Sequence, residues 1–483
     1  VGAGRITIGV TGIDTILNGG LFTGRAYLVR GGPGSGKTTL GLHFLTAGSD
    51  RGLFVSLGER SNQIEDDARA QGFDITRLSF LDLSPTAEDL AETEPYDLFS
   101  AADVEQQPLV DRIVRAVDER RPARVFIDSL TQLRYLAHDA FQFRKQVLAL
   151  LRYLTAQGAT VLFSAEGAAE VPDDDLQFLS DGILHLEATG ERRTFRVTKF
   201  RGDDFSEGPH SLRLDREGMT VYPRLVPSEH GRSYGLEAIG FGVPEVDTML
   251  HGGLERGTAT IVTGPTGVGK TTLGVRFMRE AASRGERSVI YTFEENLNTL
   301  RHRCEHIQVP LERMIDEGTL AVVDIEPLRY TPDEFAAHVR YEVEERGTRV
   351  VMLDSLAGYK LSVGGESVVR RLHALSRYLV NMGVTVLIIN EIETIAGGEF
   401  RATEVGISYL ADAVILLRYV EMQGELRKCI GILKKRTSDF EKNLREFEIT
   451  AEGIRVGPPM NRMRGILRGD PDFLPEPADR HGG

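Results

Sequence analysis

Cysteine is scarce in this chain, with two residues in 483, Cys304 and Cys429. Two thiols make neither a disulfide framework nor a zinc site; they suit a reducing compartment, so a cytoplasmic location is expected. Long hydrophobic runs are missing too: no stretch approaches the ~18 apolar residues of a membrane-spanning helix. The opening VGAGRITIGV lacks the basic-then-apolar layout of a secretory signal. Basic residues are in deficit, 57 Lys and Arg against 71 Asp and Glu, a formal charge of −14. That balance argues against general nucleic-acid binding, while leaving room for a local basic channel. With 41% hydrophobic and 27% charged residues the composition is that of a globular protein rather than a disordered one.

Glycine, by contrast, is plentiful: 52 residues without a collagen period, a sign of tight turns and close backbone approach to ligands. Length alone suggests roughly three average domains or two large ones. An internal repeat decides between them. Residues 7–45 (TIGVTGIDTILNGGLFTGRAYLVRGGPGSGKTTLGLHFL) recur as residues 239–278 (IGFGVPEVDTMLHGGLERGTATIVTGPTGVGKTTLGVRFM). Asp14 and Asp247, Gly20 and Gly253, and Lys37 and Lys270 are each separated by 233 positions; Asp128 and Asp354 differ by 226, Lys199 and Lys434 by 235. The expected organisation is therefore two tandem domains, 1–228 and 233–458, joined by a Pro-containing linker (Pro223–Arg232), with a Pro-, Gly- and Arg-rich tail over 459–483. Short apolar runs at Ala26–Arg30, Leu53–Leu57, Arg124–Ile127 and Ala159–Ser164, and their counterparts at Ala259–Thr263, Ser288–Phe293, Val350–Leu353 and Val384–Ile389, alternate with helical patterns. This predicts α/β domains on mainly parallel sheets, with strand-rich ends at Ile183–Thr198 and Ala413–Lys435.

GGPGSGKT (Gly31–Thr38) and GPTGVGKT (Gly264–Thr271) both fit GxxxxGK[ST] between a strand and a helix. Glycines let successive N–H groups turn inward around phosphate oxygens at a helix N-terminus. The predicted ATP-binding residues are Gly34, Ser35, Gly36, Lys37, Thr38 and Thr39 in the first copy. In the second they are Thr266, Gly267, Val268, Gly269, Lys270, Thr271 and Thr272. Lys37 and Lys270 would neutralise phosphate charge, and Thr38 and Thr271 would offer hydroxyls to Mg²⁺. Asp128 and Asp354 stand where a Mg²⁺ carboxylate is needed, although an Asp there also simply caps a turn. Glu294 and Glu295 close the next strand as TFEEN; the first copy reads SLGER, leaving Gly58 and Glu59. Hydrolysis needs such a carboxylate beside the phosphates, and a Glu pair at a strand end is equally what a solvated surface looks like.

Together these features resemble the KaiC family of double-domain RecA-like ATPases over nearly the whole chain. The resemblance is carried by G-[IV]-x-x-[IV]-D-x-[IM]-L-x-G-G-L, the tandem phosphate loops, the FEE strand end, the DSL after each Asp strand, and ISYLADAVILLRYVE. It implies two tandem RecA-like P-loop NTPase domains and a homohexamer with ATP and Mg²⁺ at subunit interfaces. It also implies slow ATP hydrolysis coupled to serine/threonine autophosphorylation, and regulatory partner proteins. Glu294 and Glu295 match the catalytic pair, with Glu294 also among the metal-site residues, and Glu59 matches only the second member in the first domain. Lys199-Phe200-Arg201 and Lys434-Lys435-Arg436 match the late-strand cations that reach a neighbour's ATP, and two of three share a strand face. Ser408 matches a phosphorylation site, Tyr409 stands where a second acceptor is usual, and Thr403 is an alternative; Ser408 is equally compatible with a plain strand-end serine.

RHRCEH, with His302, Cys304 and His306, reads as a surface helix rather than a metal site. MNRMRGILRGD (Met460–Asp470) reads as a docking element or a packed helix. Two other function classes stay open on sequence: a nucleotide-loaded scaffold with little turnover, and a RecA-like DNA motor, the latter disfavoured by the acidic charge.

Overall fold

The computed structural model describes residues 4–84, 101–135, 139–166, 174–190, 192–326, 329–363, 368–392, 409–422, 424–461, 463–465 and 472–473. The chain divides into two compact units, Val1–Arg224 and Leu225–Gly483.

The first unit is built on a nine-stranded sheet. Its strands are β1 (Ala26–Gly31), β2 (Gly52–Ser56), β3 (Leu78–Asp82), β4 (Arg124–Asp128), β5 (Thr160–Glu166), β6 (Gly182–Thr189), β7 (Arg192–Phe200), β8 (His210–Asp215) and β9 (Gly218–Tyr222). Their spatial order is β9-β8-β7-β6-β1-β5-β4-β2-β3. From β6 to β3 the pairs are parallel, and β7, β8 and β9 continue the sheet antiparallel. The second unit repeats this with β10 (Ala259–Gly264), β11 (Ser288–Thr292), β12 (Leu320–Asp324), β13 (Val350–Asp354), β14 (Thr385–Glu391), β15 (Ala413–Met422), β16 (Glu425–Lys435), β17 (Arg445–Thr450) and β18 (Gly453–Pro459). Read from the parallel edge, the order is β12-β11-β13-β14-β10-β15-β16-β17-β18. The mainly parallel α/β architecture read from sequence is the one observed.

Parallel strands covered on both faces need apolar residues at every position, and alternate residues serve alternate faces. Tyr27, Val29, Phe54, Phe126 and Leu162 enter one core of the first unit, while Leu28, Leu53, Val55, Ile127 and Phe163 enter the other. The second unit divides likewise: Val262, Ile290, Met352 and Leu387 face one core and Ile261, Tyr291, Leu353 and Ile388 the other. The helix after each phosphate loop, α1 (Lys37–Thr46) and α2 (Lys270–Ser283), lies tight on the sheet. Gly41 and Gly274 permit this: a Cβ would sit 2.2 Å from the Phe126 ring and 2.3 Å from Met352 Sδ.

The segment with linker composition is held by the second unit. Leu225 joins a core cluster, Asn381 Nδ2 donates to the Pro227 carbonyl at 2.8 Å, and His230 stands edge-on to Tyr378. Within Met460–Asp470, Met463–Arg464 pairs antiparallel with Asp472–Phe473, so a helix there is corrected to a short ladder over the described residues.

Candidate functional site

In the second unit the chain leaves β10 at Gly264, turns, and enters α2 at Lys270. Gly269 makes that turn with φ +115°, and a side chain on it would also strike Ile449. Lys270 is buried, its Nζ donating to the Pro265 carbonyl at 2.9 Å. Burial pulls its pKa below the ordinary lysine value, opposed by Glu391, Asp354 and Glu294. Thr271 Oγ1 donates to Asp354 Oδ2 at 2.8 Å. Burial pushes Asp354 up to about 6, with the Thr271 hydroxyl pulling the other way. A hydroxyl and a buried carboxylate beside a phosphate cradle present oxygen donors of the kind a divalent cation takes, so these residues fit Mg²⁺.

Glu294 and Glu295 follow β11. Thr292 Oγ1 fixes the turn, donating to the Glu295 carbonyl at 2.7 Å and accepting from its N–H at 3.3 Å. Glu294 Oε1 accepts from Ser355 Oγ at 2.6 Å. Glu295 Oε1 lies 2.8 Å from the Arg303 guanidinium, out of line for a hydrogen bond. Burial raises the Glu295 pKa and Arg303 partly offsets it. Phosphate loop, Asp354 and both glutamates line one cavity of about 600 Å³, within the range of small-molecule sites. Lys270, Thr271, Asp354, Glu294 and Glu295, distant in sequence, are thus brought together; Thr266, Gly267, Gly269 and Thr272 also line it. Val268 lines no part of this cavity; its side chain belongs to the core.

The first unit repeats the cradle. Gly36 takes φ +99° at the head of α1, and Lys37 Nζ bonds the carbonyls of Gly31 and Gly32 at 2.8 and 3.0 Å. Burial lowers the Lys37 pKa against Asp128, Glu166 and Glu59. Thr38 Oγ1 donates to Asp128 Oδ2 at 2.8 Å, and Ser164 to the other oxygen. Gly34 has open space about it; Ser35 is buried, its hydroxyl unpartnered. Thr39 follows Thr38 on α1. Glu59 is fixed by Ser56 as Glu295 is by Thr292, while Gly58 offers no carboxylate.

The K-x-R triplets lie elsewhere. Lys199 pairs with Ile183, and Ile183 with Leu28 near the start of β1; Lys435 pairs with Ala413, and Ala413 with Thr260 near the start of β10. The phosphate loops leave the opposite ends of those strands, about 13 Å from Thr260 to Gly264 at the usual rise. None of the triplet residues lines the second unit's cavity. Lys199 Nζ donates to the Gln177 carbonyl and Lys434 Nζ to that of Ala411. Arg201 sits 3.6 Å from Asp181, and Arg436 3.7 Å from Asp412. The middle residues need correction as ATP contacts, because alternate strand residues face opposite ways. Phe200 stacks inside on Phe22 and Tyr27. Lys435 is 1% exposed, paired with Glu255 at 2.9 Å and bonded to the Leu250 carbonyl.

Ser408 and Thr403 lie outside the described residues. Neighbouring Tyr409 is exposed, and its carbonyl accepts from Arg436 at 3.2 Å. His302 and His306 meet edge to face at 4.4 Å on a helix whose Cys304 is buried in the core. No group of three His, Cys, Asp or Glu able to hold a metal occurs among the described residues, and none of their helices is long and apolar enough to cross a membrane.

Sequence reasoning missed Glu391, Ser355 and the helix residues Thr299, Arg303 and His306 that line the cavity. Glu391, which accepts from Thr266 Oγ1, had a signal: both copies end this strand in Glu (VLFSAE and VLIINE). The helix residues recur at i, i+4 and i+7, one helical face.

A family model described as the KaiC ATPase matches residues 6–226 and again 239–461. The chain is 29% identical over 492 residues to the circadian clock protein KaiC3 of Synechocystis, covering 98% of this chain and 95% of that one. It is 28% identical over 481 residues to the circadian clock oscillator protein KaiC of Synechococcus elongatus, covering 96% and 91%. Against the oscillator protein KaiC of Prochlorococcus marinus it is 28% identical over 486 residues, covering 97% and 95%.

Proposed function

The chain belongs to the KaiC ATPase family, and on that premise we propose that it is a Mg²⁺-dependent ATPase whose two copies are unequally armed. Both bind ATP; the second carries most of the hydrolysis, and the first holds nucleotide chiefly for assembly. One observation carries this reading: Lys270, the Thr271–Asp354 pair and the Glu294–Glu295 carboxylates converge on one cavity. Gly58 removes one carboxylate from the first copy.

In this mechanism the loop N–H groups and Lys270 hold the triphosphate, and Thr271 and Asp354 hold Mg²⁺, which shields phosphate charge when bound. Glu294 and Glu295 orient the attacking water, and one of them takes its proton as the water oxygen bonds the γ-phosphorus and ADP leaves. The chain assembles as a homohexamer in which Lys199, Arg201, Lys434 and Arg436 reach a neighbour's nucleotide. Their position at the strand ends opposite their own loops supports this. Ser408 is the phosphate acceptor: its Oγ takes the γ-phosphoryl group, ADP leaves, and the proton passes to a glutamate of the pair. The bond from Arg436 to Tyr409 supports it, tying the adjoining residue to one of those cations. The phosphorylation state serves as a timing or signalling switch read by partner proteins, a role supported by relatives named as circadian clock proteins.

Incubation with Mg²⁺ and γ-labelled ATP tests the reading, with phosphate release, protein label and particle mass followed together. Label on Ser408, phosphate release and a six-chain particle are expected. Release without label removes the kinase step, and neither release nor label leaves a nucleotide-loaded scaffold.

A further inference from the structure

The helix after β11, Leu297–His306, is capped by Asn296, whose side chain accepts from the Thr299 N–H at 3.0 Å. Leu300 and Cys304 fix one face in the core. Helical spacing then turns Thr299, Arg303 and His306 to the nucleotide cavity, and all three line it. Among the described residues Arg303 has one ion pair, to Glu295 Oε1 at 2.8 Å. The contact is coulombic rather than an aligned hydrogen bond, and no side-chain bond to the second carboxylate oxygen is present among the described residues. A shift of 236 relates Ser56 to Thr292, Glu59 to Glu295, and the whole helix Ser61–Ala70 to Leu297–His306. By that shift Gln63, Asp67 and Ala70 stand in the first copy where Thr299, Arg303 and His306 stand in the second. The cation facing Glu295 is thus an anion in the copy that also lacks the first glutamate.

We propose that Arg303 is a positioning residue for Glu295. Its guanidinium draws one carboxylate oxygen toward the helix, fixing the side chain's rotamer over the phosphate loop while the other oxygen stays free to act. A half-buried glutamate with no such partner samples several rotamers, and misplacing a catalytic group by about 1 Å costs on the order of 100-fold. Asp67 is an anion at the position of Arg303 and offers Glu59 no cation there, so the two copies differ in how their remaining glutamate is aimed as well as in how many they have. This inference rests on Glu295 acting in hydrolysis.

The test uses the full-length chain and compares steady-state phosphate release and affinity for a fluorescent ATP analogue across variants. Arg303→Met should lower kcat about 10- to 100-fold while KM and analogue affinity stay within about twofold. Arg303→Lys, which restores a cation, should recover part of kcat. In a Glu295→Gln background Arg303→Met should add no further loss. Unchanged kcat in Arg303→Met, or equal loss in Met and Lys variants together with lost analogue binding, overturns the positioning role. If Glu295→Gln itself leaves turnover intact, the reading of Glu295 as catalytic fails instead, and the two failures are told apart.

Discussion

The two units share a sheet order, a phosphate loop and a threonine–aspartate pair of equal length, 2.8 Å in each. They differ in what surrounds that frame. The second has Glu294 where the first has Gly58, Arg303 where it has Asp67, and Thr266 where it has Pro33. Its loop is tied from outside, Lys428 Nζ donating to the Gly267 carbonyl at 3.1 Å and Tyr419 lying beneath that ammonium. The paired positions in the first sheet, Ala188 and Arg193, make no such bond among the described residues. A duplicated scaffold thus keeps the parts that bind a triphosphate and varies the parts that act on it.

The largest expected effect comes from removing each loop lysine in turn. Lys270→Ala should abolish most turnover, on the order of 1,000-fold, and leave six-chain particles. Lys37→Ala should dissociate the particle, leaving ATP binding at the second site but depriving that site of the neighbour's Lys434 and Arg436. Mass photometry beside phosphate release checks both, and identical phenotypes would break the comparison. Next, Ser408→Ala should remove most protein-bound label from γ-labelled ATP while phosphate release persists, read by autoradiography and phosphosite mapping.

A gain is the sharper test of the first copy. Gly58 has open space around it and no left-handed φ, so Gly58→Glu fits without strain. In a Lys270→Ala background it should raise turnover roughly 10-fold, short of full general-base catalysis because Asp67 stands where the second copy has Arg303. The smallest effect belongs to the loop tie: Lys428→Ala removes one charged hydrogen bond of about 1–2 kcal/mol, and should weaken ATP binding to the second site roughly 5- to 30-fold in a titration.

How much of this was legible in sequence follows from what each feature depends on. The repeat, both loops and the central strands were readable, since glycine spacing and continuous apolar runs are local signals. The edge strands β3 and β12 were not: Leu78–Asp82 is half-buried throughout and Leu320–Asp324 largely so, without an alternating pattern. The lysine and arginine of each triplet were readable as cations sharing a face. Their place at the strand ends opposite the phosphate loops, and the burial of Phe200 and Lys435 between them, required strand register. Pro223–Arg232 looked like a linker because its composition is polar and Pro-containing, while a few single contacts bind its part from Leu225 onward to the second unit. Arg303 was hidden because its role depends on a helix phase measured from Glu295.

The central claim, that the second copy carries the hydrolysis, is tested most directly by phosphate release from Glu59→Gln and Glu295→Gln chains side by side, each with two nucleotides bound. Glu59→Gln should keep at least half of the unmodified rate, and Glu295→Gln should lose about 100-fold or more. Equal losses, or a larger loss in Glu59→Gln, would contradict it.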